Sequence, residues 1–192
     1  MNKNLQLSIR ETERVIDLAK KSLGVDGDFV EFGCYRGDTS IELARVLRGS
    51  GKQLHLYDSF SGLPPKSQQD SSALGDRFVA GELPATKADL IRRFQHAGLG
   101  IPRIKKAWFS DLAPADLPDS ISFAFLDGDF YGSIRDSLNL ITPLMSNQSI
   151  LVIHDYRNPA LPGVAKAVDE WNHKHHQRLE FFETLCYTVI SR

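Results

Sequence analysis

The chain has 192 residues, 42% hydrophobic and 24% charged, with 23 Lys and Arg against 24 Asp and Glu for a formal charge of −1. That length suits a single domain over 1–192, and the balance excludes a disordered tail, a membrane protein and an electrostatic nucleic-acid binder. Cys34 and Cys186 stand far apart without zinc-ligand spacing, so neither a disulfide framework nor a structural zinc is supported. The opening MNKNLQLSIRETERV is too polar for a signal peptide, and no apolar run reaches the ~18 residues of a membrane span, so a cytoplasmic protein with no membrane partner is expected.

Residues 1–26 read as an N-terminal helical segment, with Ile9, Val15, Ile16, Ala19 and Leu23 near helical spacing over 7–23. Phe29 to Phe32 is an apolar strand that passes through a glycine turn into a helix with Ile41, Ala44 and Leu47 on one face. KQLHLYD at 52–58 predicts a second strand. The Ser-, Gly-, Pro- and Gln-rich stretch after it predicts a loop. Within it, residues 64–85 should form a mobile cover, because Pro64, Pro65, Gly75 and Gly81 leave few apolar anchors. A helix over 86–97, a third strand within PRIKKAWF, a fourth at Ile121 to Leu126, a helix and a fifth strand at Ile150 to Ile153 follow. A helix in VAKAVDEWNHKH then precedes LEFFET and CYTVISR, two strands close enough for a terminal hairpin. Strands alternating with helices imply a doubly wound, Rossmann-like, mainly parallel α/β sheet of seven strands, closed by a C-terminal antiparallel hairpin. In such sheets ligands bind beyond the carboxyl ends of the strands.

Chemistry-bearing residues collect at those ends. Glu31-Phe32-Gly33-Cys34-Tyr35-Arg36-Gly37 has the form acid-x-Gly-x-x-x-Gly, and the helix start at Asp38, Thr39 and Ser40 offers N–H and hydroxyl donors to an anionic group. The spacing is not that of a dinucleotide turn, G-x-G-x-x-G, and suits a smaller ligand. Asp58 ends the second strand 27 residues after Glu31, where a carboxylate can accept hydrogen bonds from a ribose diol. A bare turn without a ligand stays open at this point. Asp127 and Asp129 follow the fourth strand, and His154 and Asp155 the fifth. Each has a plainer account: Asp127 can cap the next helix, Asp129 can be a solvated loop acid, and His154 can hold a strand end. Three such groups on adjacent strand ends favour a shared site. His173, His175 and His176 fit a solvated helix end, His55 a structural strand position, and His96 the surface.

The glycine turn with Asp58 resembles the S-adenosylmethionine site of class I methyltransferases. YDSFSGLP, LDGDFYGS and VIHDY, in this order, resemble the macrocin O-methyltransferase family of metal-dependent sugar methyltransferases, a likeness over roughly residues 27–171. It implies an S-adenosylmethionine-dependent O-methyltransferase acting on a small-molecule hydroxyl of a sugar or other secondary metabolite. Gly33, Tyr35 and Gly37 would pass under the methionine part beside Glu31, with Thr39 or Ser40 near its carboxylate. Asp58 and Ser59 would hold the ribose, and Trp108, Phe109 and Ser110 would flank the adenine, although Trp108 and Phe109 can also be core. A divalent metal, Mg, Mn or similar, would sit at Asp127, His154 and Asp155, with Asp127 also bordering the cofactor and either Asp127 or Asp129 taking the proton. The family usually has Asp-Asp-Tyr where this chain has His154-Asp155-Tyr156, and an imidazole is a poorer partner for a hard cation than a carboxylate. Two other readings compete: a non-catalytic S-adenosylmethionine-binding protein with a degraded metal site, and, ranked last, a metal-dependent phosphohydrolase. The acceptor pocket should be built from the N-terminal helix, the loop after Asp58 and the segment after Tyr156. The acceptor's identity and any homo-oligomer are left open.

Overall fold

The computed structural model describes residues 7–74 and 78–191, so Gly75 of the expected cover lies outside the described residues. Ser8 starts the first helix, α1 (Ile9–Lys21), with a capping box: its hydroxyl accepts from the Glu11 N–H at 3.1 Å, and Glu11 Oε2 accepts from the Ser8 N–H at 2.9 Å. Glu11, Val15 and Leu18 share the buried stripe. Ile9, expected on that stripe, is 70% exposed. It precedes Glu11 by two residues, about 200° around the helix from it.

Five strands pair in parallel: β1 (Asp28–Phe32), β2 (Leu54–Asp58), β3 (Arg103–Lys106), β4 (Ile121–Leu126) and β5 (Met145–Ile153). β6 (Glu180–Phe182) and β7 (Leu185–Val189) form the antiparallel hairpin, giving the order β3-β2-β1-β4-β5-β7-β6. The seven-stranded, doubly wound sheet is the one expected. β5 starts earlier than its apolar run because Met145 already pairs with Ile121 ahead of a register shift. The third strand stops at Lys106, beyond which the chain bends into a short 3₁₀ turn, Phe109–Asp111.

Helix α1 with α2 (Asp38–Val46) and α3 (Lys87–His96) covers one face of the sheet, over Phe29, Leu56, Phe123, Phe125 and Val152. α4 (Tyr131–Ile141) and α5 (Pro162–His175) cover the other, over Val30, Phe32, Ala124, Leu126 and Ile153. With both faces covered, β4 is apolar along its length except for Ser122, whose hydroxyl donates to the Gly27 carbonyl at 2.8 Å. Each fully buried Phe contributes about 1.5–3 kcal/mol. The stretch after β2 forms a strap whose ends are paired: the Leu63 N–H donates to the Glu82 carbonyl at 2.8 Å, and the Gly81 N–H to the Leu63 carbonyl at 2.9 Å. No helix among the described residues is long and apolar enough to cross a membrane.

Candidate active site

The parallel ladder runs one residue past the central strands. Gly33 N–H donates to the Tyr57 carbonyl at 2.9 Å, Asp127 N–H to Phe32 at 2.8 Å, and His154 N–H to Leu126 at 2.9 Å. The turn after β1 and the acids after β4 and β5 are therefore neighbours along the carboxyl edge of the sheet. A Cβ on Gly33 would stand 2.0 Å from the Asp127 carbonyl oxygen, and its φ is +88°, so only glycine lets these two chains approach. Tyr35, Asp129 and Asp155 also adopt positive φ, of 45°, 59° and 61°. Such left-handed residues cost about 1–3 kcal/mol each and gather where a structure is shaped for a ligand. Asp58 holds part of this geometry. Its Oδ2 accepts from the Tyr35 N–H at 2.9 Å and its Oδ1 from the Phe60 N–H at 2.6 Å.

Asp127, His154 and Asp155 present ligand atoms that all lie within 4.8 Å of one another. His154 Nδ1 is 2.9 Å from Asp127 Oδ1 and 3.1 Å from Asp155 Oδ2, with all three side chains at most 10% exposed. Burial disfavours the imidazolium, but the two carboxylates outweigh it and raise His154 well above its ordinary pKa. Asp155 is correspondingly held low: burial opposes its ionisation, and the His154 and Asn158 hydrogen bonds overcome it. Burial raises Asp127 despite His154. Asp129 rises well above the carboxylate range, through burial and then the charges of Asp127 and Asp155. Glu11 reaches this end too, accepting from the Thr184 N–H at 3.0 Å and adding a negative charge that acts on His154.

Two chambers meet over Gly33, Tyr35 and Asp127. The first, about 540 Å³ including space open to solvent, is also bordered by Asp58, Ser59, Trp108, Phe109 and Asp129. The second, about 690 Å³, lies over the glycine turn and takes in Glu31, Gly37 and Thr39. Ser40 is fully buried beneath the turn and borders neither chamber. Ser110 borders a separate groove beyond Trp108 and Phe109. His154 and Asp155 stand behind Asp127, which alone of the three cluster residues reaches the chambers. Trp108 is 37% exposed, whereas Phe109 packs edge-on against Phe32 at 5.2 Å and so serves both core and cleft. The strap residues Gly62, Leu63, Pro64 and Leu83 complete the first chamber, and Leu7 and Thr12 the second. SGLP was visible as part of a motif, but nothing in the local pattern marks Leu83 or Thr12.

Glu31 is buried in the floor of the second chamber, and its Oε2 finds no hydrogen-bond partner among the described residues. Burial pushes its carboxyl up to about 8; the nearby Ser40 hydroxyl lowers it, and the Asp127 and Asp58 charges raise it further. A buried acid left unsatisfied at the rim of a cavity calls for a donor from outside the protein.

A seven-stranded sheet of this order, a glycine turn after β1, and a carboxylate after β2 on one shared cleft define a class I methyltransferase. The macrocin-O-methyltransferase (TylF) family profile matches residues 9–186, and the chain belongs to that family of O-methyltransferases. Demethyldecarbamoylnovobiocin O-methyltransferase of Streptomyces niveus is 27% identical over 185 residues, 90% of this chain and 69% of that protein. The 8-demethyl-8-(2,3-dimethoxy-alpha-L-rhamnosyl)-tetracenomycin-C 4'-O-methyltransferase of Streptomyces olivaceus is 33% identical over 143 residues, 69% of this chain and 54% of that protein. The chain thus spans about half the length of the second relative. Among solved structures, the O-methyltransferase NovP matches with a TM-score of 0.86 and 25% identity over 100% of this chain and 84% of its own. The calicheamicin methyltransferase CalS11 matches with a TM-score of 0.80 over 94% of this chain and 78% of its own, at 17% identity, a likeness of fold alone.

Proposed function

We propose that the chain transfers the methyl group of S-adenosylmethionine to a hydroxyl of a sugar or sugar-bearing secondary metabolite, with a divalent cation at Asp127, His154 and Asp155. The observation that carries this reading is the convergence of Gly33, Tyr35, Asp58, Trp108, Phe109 and Asp127, from four separate segments, on one cleft that ends at the acid cluster. One named relative is an O-methyltransferase of a novobiocin precursor and the other a 4'-O-methyltransferase of a rhamnosyl-bearing tetracenomycin, and the second supports a sugar hydroxyl as acceptor. A single methyltransferase domain over 1–192 with 64–85 as its cover, in a cytoplasmic enzyme without a nucleic-acid partner, completes the reading.

The residues fit the cofactor. Asp58 borders the first chamber, where a carboxylate fixed by the Tyr35 and Phe60 N–H groups can accept from a ribose diol. Trp108 and Phe109 offer faces for a base, and Oε2 of Glu31 can accept from an α-ammonium group. They also fit a cation, since two carboxylates and an imidazole converge in a buried cluster, a donor set better matched to manganese, cobalt or iron than to magnesium. A bound divalent ion would supply the Lewis acidity that eases loss of the acceptor's proton. Asp127 and Asp155 would hold it once His154 gives up the Nδ1 proton it now shares between them. Asp129, whose carboxyl is held high by burial and then by its acidic neighbours, would ionise more readily once positive charge balances them, and its carboxylate could then accept the hydroxyl proton as the oxygen takes the methyl group. The test is S-adenosylhomocysteine formation across a panel of sugars, glycosides and catechols, with and without chelator. Tight S-adenosylhomocysteine binding with no turnover on any acceptor or metal would instead support a binding protein with a degraded metal site, and phosphatase activity without cofactor would support the phosphohydrolase.

A further inference from the structure

Asp70 lies in the polar run KSQQDSS yet is only 1% exposed. Its Oδ1 accepts from the Tyr131 N–H at 2.7 Å, the first residue of α4, and its Oδ2 accepts from the Ser67 N–H at 2.9 Å and from the Ser67 hydroxyl. The same carboxylate fills the space left by Gly163, the second residue of α5: a Cβ there would stand 1.9 Å from Asp70 Oδ1 and 2.9 Å from the Tyr131 Cβ. One acid therefore caps α4 and abuts the start of α5, where exposed N–H groups and both helix dipoles favour a negative charge. Two residues on, the Ser72 hydroxyl donates to the Pro159 carbonyl at 2.8 Å, fastening the strap to the loop before α5.

These attachments are placed where the site needs them. α4 begins directly after Asp127-Gly128-Asp129-Phe130, and α5 follows the loop that leaves His154 and Asp155. The strap that carries Asp70 also supplies Leu63 and Pro64 to the first chamber. We infer that Asp70 is a positioning residue, a latch joining the strap to the two loops that bear the acid cluster and so fixing opposite walls of the cleft relative to each other. The inference rests on the cofactor reading of that cleft. It needs no contact between Asp70 and any ligand.

Gly163→Ala tests the seat without touching the acid, since the added methyl expels Asp70 while alanine suits a helix better than glycine does. S-adenosylhomocysteine affinity, measured by calorimetry well below the melting temperature, should fall about 10-fold in Asp70→Ala and by a similar factor in Gly163→Ala. A residue that only stabilises the fold would leave the affinity of the folded protein unchanged. Asp70→Asn, which keeps an acceptor for the Tyr131 N–H, should lose only about 3-fold. The double variant should fall well short of the product of the two single effects, because both remove the Asp70 contact and only the crowding of the Tyr131 Cβ by the new methyl is added. Hydrogen exchange should quicken about 10-fold at Ser67 and Tyr131 in Asp70→Ala. Affinities within about 2-fold of the parent together with unchanged exchange, or single effects that multiply in the double variant, overturn the latch. Parent protein that fails to bind S-adenosylhomocysteine would instead remove the cofactor reading, and the exchange rates would still decide whether Asp70 holds the two helices.

Discussion

Among the described residues, two buried histidines pair with aspartates at opposite ends of the sheet, with opposite electrostatics. His55 Nε2 lies 3.0 Å from Asp28 Oδ2 at the amino end of β1 and β2, and His154 Nδ1 lies 2.9 Å from Asp127 Oδ1 at the carboxyl end of β4 and β5. Both residues are shielded from solvent, 4% and 5% exposed. At His55 burial prevails: it lowers the imidazole below its ordinary value, Asp28 opposes that only in part, and Arg103 reinforces it. At His154 a second carboxylate, Asp155, joins the first and reverses the outcome. One half-screened acid makes a structural pair. Two buried acids around one ring, with Glu11 and Asp129 near, make a place where positive charge is wanted, which is the condition a reactive site requires.

The comparison breaks first if the acid cluster can be dismantled without consequence. Asp127→Ala should lower S-adenosylhomocysteine formation about 10²–10⁴-fold with any added ion, because the residue borders both chambers and partners His154. Turnover within a factor of about 10 of the parent would take Asp127 out of the machinery. Next in size is the metal ranking. Chelator should abolish turnover, and manganese or cobalt should restore it about 10-fold better than magnesium, since a neutral imidazole in place of a carboxylate lowers the ligand charge by one. His154→Asp should move the preference back toward magnesium. Turnover indifferent to chelator would leave His154 as a proton-bearing strand-end residue and the transfer as a matter of positioning.

Glu31 sharpens the contrast from the same end of the sheet. Its carboxyl, near 8 without ligand, has to ionise to pair with an ammonium group, so binding releases a proton. S-adenosylhomocysteine affinity should therefore climb by up to about 10-fold per pH unit as pH approaches 8 from below, and Glu31→Gln should flatten that rise. A parent titration with no slope in that window would mean that Glu31 stays protonated beneath the ligand.

What the sequence reveals follows from what each residue depends on. Gly33, Asp58, Asp127 and His154 are legible because an apolar run ends and a polar residue or glycine begins, and in a parallel sheet those ends are brought together by the ladder itself. Strands β1, β2, β4 and β5 are legible for the same reason, whereas β3, Arg103–Lys106, is charged and mostly exposed. Ser40 shows the limit. A hydroxyl at a helix start can face a ligand or turn inward, and here the rotation of α2 buries it under the turn. The long-range roles of Glu11 and Asp70 carried no signal: Ser8-x-x-Glu11 marks only a helix start, the partners Thr184 and Tyr131 lie 173 and 61 positions away, and a polar segment looks the same whether or not one of its acids is buried. Ile9 misled because periodicity fixes the spacing of an apolar face but not which edge of it meets the core.

The smallest expected effect is also the most direct check on the two pairs, and it is read in stability with chelator present. A histidine held above its ordinary value binds more protons folded than unfolded, so its contribution is complete below about pH 6.5 and fades as pH rises through the folded value. That is the expectation for His154. A histidine held below its ordinary value behaves in the opposite sense: its contribution is complete above about pH 6.5 and fades as pH falls through the folded value. That is the expectation for His55. Urea unfolding from pH 5 to 9 should therefore show His154→Gln losing most against the parent on the acid side and His55→Gln losing most on the alkaline side. Each difference can change by at most about 1.4 kcal/mol per pH unit. His55→Gln should also leave turnover unchanged, because the pair with Asp28 stands at the other end of the strands from both chambers. Difference curves with the same sign would mean that the second carboxylate does not reverse the balance at His154, and the electrostatic distinction between the two ends of the sheet would fall with it.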